Sequence, residues 1–388
     1  MLRRFMGLTA AAMLLFGNAS LTQADEAASK KAPGKQAALD NAEEGPLVQM
    51  AILLDNSGSM SGLINQARQH LWKIVNEFAT VRRDGKEPRL EVALYKYANG
   101  KPERLTEFTD DLDKVSKLLF ATQIEGGSEY CGQVIQAAVD ELVWSRDEAD
   151  LKCIFIAGNE PFTQGPVDYK GACNNAVLKG ITVSTIFCGG EVQGINGKWQ
   201  DGAVLADGTF LNIDQNQAVA VIAAPQDKTI AELSSKLNTT YVAFGTAAKR
   251  DAVLTNQFEQ DSNALKLNSY ACASRAMTKA SNQYFCSWDL VDACRTGKVK
   301  LAELKQEELP KDLQKLTAKE LEEYVEKKQK ERDKIREEIK DLSEKRTAYI
   351  TAEQKKLAKT DPAANTLDAA IIQSVRAQAT RMNYTIAK

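Results

Sequence analysis

Short, continuous apolar runs alternate with longer stretches whose apolar residues recur every three or four positions across residues 46–245. Met50–Leu54 is continuous rather than alternating, which predicts that the strand Val48–Leu54 is buried on both faces of a parallel sheet. Leu63–Thr80 predicts an amphipathic helix. Leu90–Tyr97 alternates apolar and polar residues and predicts a strand nearer an edge, with Arg104–Phe108 as its hairpin partner. Leu112–Ala121 predicts a short helix, and a turn at Gly126-Gly127 leads into a helix over Tyr130–Ser145. Cys153–Ala157 predicts a second central strand, Lys170–Lys179 a helix, and Thr182–Cys188 a third strand. Gly189–Asn212 is rich in Gly and Asp and is expected to be a long surface insertion. Asp227–Leu237 predicts a helix and Thr240–Phe244 a last strand. This alternation implies an α/β fold, a doubly wound and mainly parallel sheet with helices on both faces.

From Thr246 the strand pattern stops, and an α-helical region over 246–388 is expected. Thr246–Ala280 and Ser281–Arg295 predict helices, with Trp288, Leu290 and Val291 in their core. Thr317-Ala318-Lys319-Glu320 is a capping box, opening a long charged helix to about Lys359. Leu321, Val325, Ile335, Ile339, Leu342 and Tyr349 form a seam on it, interrupted by Lys328, Arg332 and Arg346. An unbroken seam would argue for a coiled coil. The interruptions favour a hairpin with Leu367–Val375 and a monomer, with a dimer through the long helix as the alternative. Lys and Arg are matched by Glu and Asp along it, which describes a solvated face and excludes a nucleic-acid patch.

Composition adds the compartment. The 388 residues are 44% hydrophobic and 26% charged with a formal net charge of −2, the balance of a globular protein with no global pull toward nucleic acid or anionic lipid. Arg3 and Arg4, an apolar run over Phe5–Phe16 too short to span a bilayer, and small residues around Thr22–Ala24 predict a cleavable signal peptide over 1–24. Residues 25–45 are expected to be a flexible linker. Export to the periplasm follows, with no membrane span after cleavage. An oxidising compartment implies that some of the 7 cysteines pair. Cys131, Cys173 and Cys188 should share one end of the sheet, where a pair among them, such as Cys173–Cys188, is a candidate disulfide, while Cys153 is a buried thiol at the other end. Cys272 and Cys286 are either a staple between helices or free thiols. A single histidine, His70, argues against a histidine-based catalytic triad, and the cysteines lack CxxC spacing for a structural zinc.

The candidate chemistry begins where the first strand ends, in Asp55-Asn56-Ser57-Gly58-Ser59. A carboxylate and two hydroxyls at the carboxyl end of a central strand occupy the place where open α/β sheets bind ligands. Hard oxygen donors of this kind suit magnesium or another divalent ion such as manganese. Ser128 and Asn159 fall at the same end of the predicted sheet.

The pattern resembles the DxSxS signature of the von Willebrand factor type A (VWA) domain family over about residues 46–245. In that family the signature forms a metal-ion-dependent adhesion site (MIDAS), completed by a threonine from a second loop and an aspartate from a third. Ser128, after Gly126-Gly127, stands at the threonine position, and Asn159, after Phe155–Gly158, at the aspartate position. The resemblance therefore implies metal ligands at Asp55, Ser57, Ser59, Ser128 and Asn159. Ser128 keeps the hydroxyl. Asn159 removes a formal charge and should weaken the ion's hold, although Glu160 or Glu129 could lend a carboxylate. The implied activity is binding rather than bond-breaking, with an acidic side chain of a protein partner filling an open metal position. The alternative is an envelope structural or assembly factor that acts through its C-terminal helices, with a weak or vestigial metal site.

Overall fold

The structure is a computed structural model that describes residues 45–78, 80–214, 222–357 and 367–386. The expected signal peptide and all of the linker but Gly45 lie outside the described residues. The chain begins β1 (Leu47–Asp55), α1 (Ser61–Phe78), β2 (Val81–Arg82), β3 (Arg89–Ala98), β4 (Lys101–Thr109), α2 (Leu112–Ala121) and α3 (Cys131–Glu141). It continues β5 (Leu151–Gly158), α4 (Tyr169–Leu178), β6 (Thr182–Cys188), α5 (Glu191–Asn196), α6 (Trp199–Leu205) and β7 (Phe210–Ile213). Helices α7 (Asp227–Asn238), α8 (Ala247–Leu267), α9 (Ser269–Ala280), α10 (Leu290–Arg295), α11 (Ala318–Leu357) and α12 (Leu367–Arg381) follow, and β8 (Thr385–Ile386) ends the described chain.

Six strands form one sheet in the order β4-β3-β1-β5-β6-β7. β1 pairs in parallel with β3 and β5, and β5, β6 and β7 continue in parallel. Only β4 runs antiparallel, as a hairpin partner of β3. Every residue of β1 is buried, because its side chains alternate between two covered faces. Met50, Ile52 and Leu54 pack with α1, α2 and α12, whereas Ala51 and Leu53 pack with α3, α4 and Trp199 of α6. The α/β architecture is thus a mainly parallel sheet flanked by helices and followed by a helical region carrying one long helix.

Several details differ from the sequence reading. First, the segment expected to be a surface insertion holds α5, α6 and the edge strand β7, whose four residues are too few to register as an apolar run. Second, Thr240–Phe244 is not a strand of the sheet: Ala243 makes one isolated bridge to Asp289, whose side chain also holds the Val242 amide at 2.6 Å. Third, Thr246–Ala280 is broken at Asn268, whose side chain caps α9 by accepting the Ala271 amide at 2.8 Å.

Fourth, α12 does not form a hairpin with α11. Leu367, Ile371, Val375 and Ala379 complete one face of the sheet, and Gln378 donates to Ser184 of β6 at 2.9 Å. The seam of α11 is covered by this chain's own helices: Leu321 and Val325 pack with α10, Ile335 and Ile339 with α7 and α9. That cover replaces both the hairpin and the coiled coil. The polar interruptions are anchors. Arg332 is fully buried, donates to Asp289 at 2.6 Å, lies 3.1 Å from Asp292 and stacks 4.2 Å over the Tyr241 ring. Arg346 donates to Asp227 at 2.6 Å. The capping box forms as expected, with the Thr317 amide donating to Glu320 at 2.8 Å.

All seven cysteines are unpaired, which corrects the expected disulfides. Cys173 and Cys188 sit on opposite faces of the sheet, in different cores, so no Cβ–Cβ approach brings them within bonding range. Cys286 faces the Tyr241–Tyr284 core, while Cys272 lies on the Asp261 side of α9. Burial pushes these thiols up, Cys173 to about 12.

Candidate metal site at the switch point

The chain leaves β1 for β3 on one side and later returns to β5 on the other. That reversal opens a crevice at the carboxyl ends of β1 and β5, and it is here that Asp55 and Asn159 meet. The loop after β1 is stitched to the second loop: the Glu125 amide donates to the Asn56 carbonyl at 2.8 Å, and Asn56 Nδ2 donates to the Gln123 carbonyl at 3.0 Å. A short 3-10 turn, Gly58–Met60, then leads into α1.

Asp55 is fully buried. Its Oδ1 accepts the Ser57 amide at 2.7 Å, and its Oδ2 has no hydrogen-bond partner among the described residues. Burial pushes this carboxyl up to about 7, against the pull of its Ser57 bonds, with Glu129 and Glu160 adding like charge nearby. Ser57 Oγ and Ser59 Oγ lie 3.3 Å apart, and Asn159 Nδ2 donates to Ser59 Oγ at 3.2 Å. Four of the five expected residues, Asp55, Ser57, Ser59 and Asn159, therefore form one chain of contacts.

Ser128 stands apart. It is exposed, its carbonyl accepts the Gly100 amide at 2.6 Å, and its hydroxyl makes no bond to the other four among the described residues. The residue that the second loop turns inward is Glu129, 6% exposed. Its carboxyl is raised by burial first and by Glu160 second, and a bond to Ser57 opposes both.

Two supporting residues escaped the sequence reading. A Cβ on Gly158 would lie 2.6 Å from Tyr97 Oη and 3.1 Å from Asp55 Oδ2, so only glycine lets β5 pass this close to the carboxylate. Tyr97, buried beneath, donates to the Ala157 carbonyl at 2.9 Å. A glycine closing a strand is the signal that could have found the first.

The donor set consists of an unpartnered carboxylate oxygen, two hydroxyls and an amide oxygen, which fits a hard divalent cation. Among the described residues no three His, Cys, Asp or Glu side chains are grouped to hold a metal, so such a site depends on Ser57, Ser59 and Asn159. His70 is buried on α1 against the Tyr270 ring, 5.9 Å between centroids, away from this chemistry.

The von Willebrand factor type A domain family model matches residues 50–159, from β1 through the Asn159 loop. The chain contains a VWA domain. That domain carries the whole candidate site, since the match spans all three loops. Similar solved structures include proximal thread matrix protein 1 from the mussel byssus, at 12% identity and a TM-score of 0.36, over 45% of this chain and 43% of that one. A second crystal of that mussel protein, described as having a zinc-occupied MIDAS motif, is similar at 13% identity and a TM-score of 0.35, covering 43% of this chain and 42% of that one. BatB from Bacteroides thetaiotaomicron shares 14% identity with a TM-score of 0.35, over 55% of this chain and 99% of that one. The chain thus spans less than half the length of the mussel protein. No curated protein matches the chain.

Proposed function

We propose that the chain is a non-enzymatic, metal-dependent protein-binding module. A magnesium or manganese ion is held by Asp55, Ser57, Ser59 and Asn159, with Ser128 at the rim and Glu129 beside Ser57 as the second-loop donors. The ion captures a carboxylate of a partner protein. The observation that carries this reading is the fully buried Asp55 with Oδ2 unpartnered among the described residues. A divalent ion supplies the missing charge, and an uncharged Asn159 leaves that ion more electropositive toward an incoming carboxylate. VWA domains are generally protein-interaction modules, and the site offers neither a histidine base nor a phosphate loop. No helix among the described residues is long and apolar enough to cross a membrane. We place the module in the periplasm on the strength of its N-terminal sequence.

The test is fluorescence polarisation with a labelled Gly-Ser peptide carrying one glutamate, on the full chain with magnesium and then with EDTA. Binding that EDTA abolishes supports the reading. Binding that survives EDTA, or that survives Asp55→Ala, contradicts it.

A further inference from the structure

A groove of about 670 Å³ runs from Asn159 along the loop after β5 to the segment after β6, lined by Asn159, Thr163, Gln193, Asn196 and Lys198. Its floor is closely packed. Phe162 meets Trp199 edge to face and Phe187 packs tilted against it, and a Cβ on Gly202 would strike Phe162 at 2.4 Å. Two hydrogen bonds tie its walls together: the Phe162 amide donates to the Gly197 carbonyl at 2.8 Å, and Trp199 Nε1 donates to the Glu160 carbonyl at 2.7 Å. The opposite wall is thereby held at a set position relative to Asn159.

The rim carries one cation, Lys198. It is exposed, and no hydrogen bond or ion pair reaches its ammonium among the described residues. Its backbone is unusual as well, at φ 71°. Among the described residues, the other non-glycine residues with positive φ are Asp84, Asn99, Asp207 and Asn383, the residue types that tolerate that region. A lysine there costs backbone energy that a glycine or asparagine would avoid. The remaining polar liners are amides and a hydroxyl, which serve the N–H and C=O groups of an extended peptide.

We propose that this groove is a second subsite for the same partner. An extended acidic segment lies along it, one carboxylate on the metal at Asp55 and a neighbouring carboxylate on Lys198. The inference rests on the metal-dependent reading above and names the partner's chemistry: a run of acidic residues rather than a lone one.

The test compares labelled hexaglutamate with the single-glutamate peptide on the full chain in magnesium. Six equivalent carboxylates give about a sixfold gain by number alone. The wild type is expected to gain well beyond that, and Lys198→Glu to lose about tenfold of it, while Lys198→Arg retains it. Magnesium affinity measured by calorimetry stays unchanged in both variants, which shows that the site still folds. If Lys198→Glu binds hexaglutamate as the wild type does, or hexaglutamate gains no more than the number effect, the subsite is wrong and the metal reading stands. If the wild type binds neither peptide in magnesium, the metal reading fails first.

Discussion

Asp55, fully buried, and Asp261, partly buried, are two aspartates with opposite surroundings. Asp261, on α8, is bonded to the Arg275 guanidinium, lies 3.0 Å from Lys279 Nζ and accepts Asn238 Nδ2 at 2.6 Å. These partners outweigh its burial and hold its carboxyl down at about 2. Asp55, at the end of β1, has one backbone amide on Oδ1 and nothing on Oδ2, and burial raises it to about 7. Where the chain provides its own cations, the carboxylate joins elements: Arg275 also donates to Asp113 of α2 at 2.6 Å and lies 4.6 Å over Trp72 of α1, so one guanidinium clasps the helical region to the VWA domain. Where the described residues provide none, the carboxylate is available to a cation from solution.

The largest effect expected from this contrast is at Arg275. Arg275→Ala leaves the buried Asp113 without its cation and Asp261 with Lys279 alone, and should cost about 3–5 kcal/mol in urea unfolding. A loss of less than about 1 kcal/mol would mean that the clasp is not structural.

The next is a pH effect. The folded carboxyl of Asp261 titrates near 2 against its ordinary 3.8, so it is a depressed acid. Its contribution is fully present above about pH 4 and is lost as pH falls toward 2, amounting to about 2 kcal/mol. Urea midpoints of wild type and Asp261→Asn should converge over that interval; a constant gap would contradict the assignment.

A smaller change of opposite sign is expected at the metal site. In EDTA at pH 8, Asp55→Asn should stabilise the protein by about 1–2 kcal/mol, since it removes a buried, unpartnered charge. The same variant should lose any stabilisation by magnesium. Destabilisation in EDTA would show that Asp55 is satisfied within the fold. Smallest of all, Lys198→Gly should raise stability by roughly 1 kcal/mol by relieving its left-handed backbone, read as a modest rise in melting temperature.

The part of the site that sequence made legible is the part that interrupts a strong periodicity. Asp55, Ser57 and Ser59 stand out because an unbroken apolar strand stops at them, and Asn159 because Cys153–Ala157 does the same. Side-chain direction in a glycine turn leaves no such mark, so Ser128 was expected inward where Glu129 points inward. The edge strand β7 was hidden because four residues in a Gly- and Asp-rich segment carry too little pattern. An apolar stripe also does not name its partner. The stripe of α12 fits the sheet better than α11 because Ser374 and Gln378 find Ser184 there. Arg332 and Arg346 broke the seam of α11 as sequence, yet in three dimensions their partners lie elsewhere, Asp292 and Asp227 on other helices and Asp289 at the cap of α10, beyond the reach of any local spacing rule.

Isothermal calorimetry of the full chain titrated with magnesium tests the central claim most directly, with Asp55→Ala beside the wild type. The account predicts a saturable heat for wild type that is absent in Asp55→Ala, with both proteins folded by circular dichroism. No heat with wild type, or the same heat in both, would contradict it.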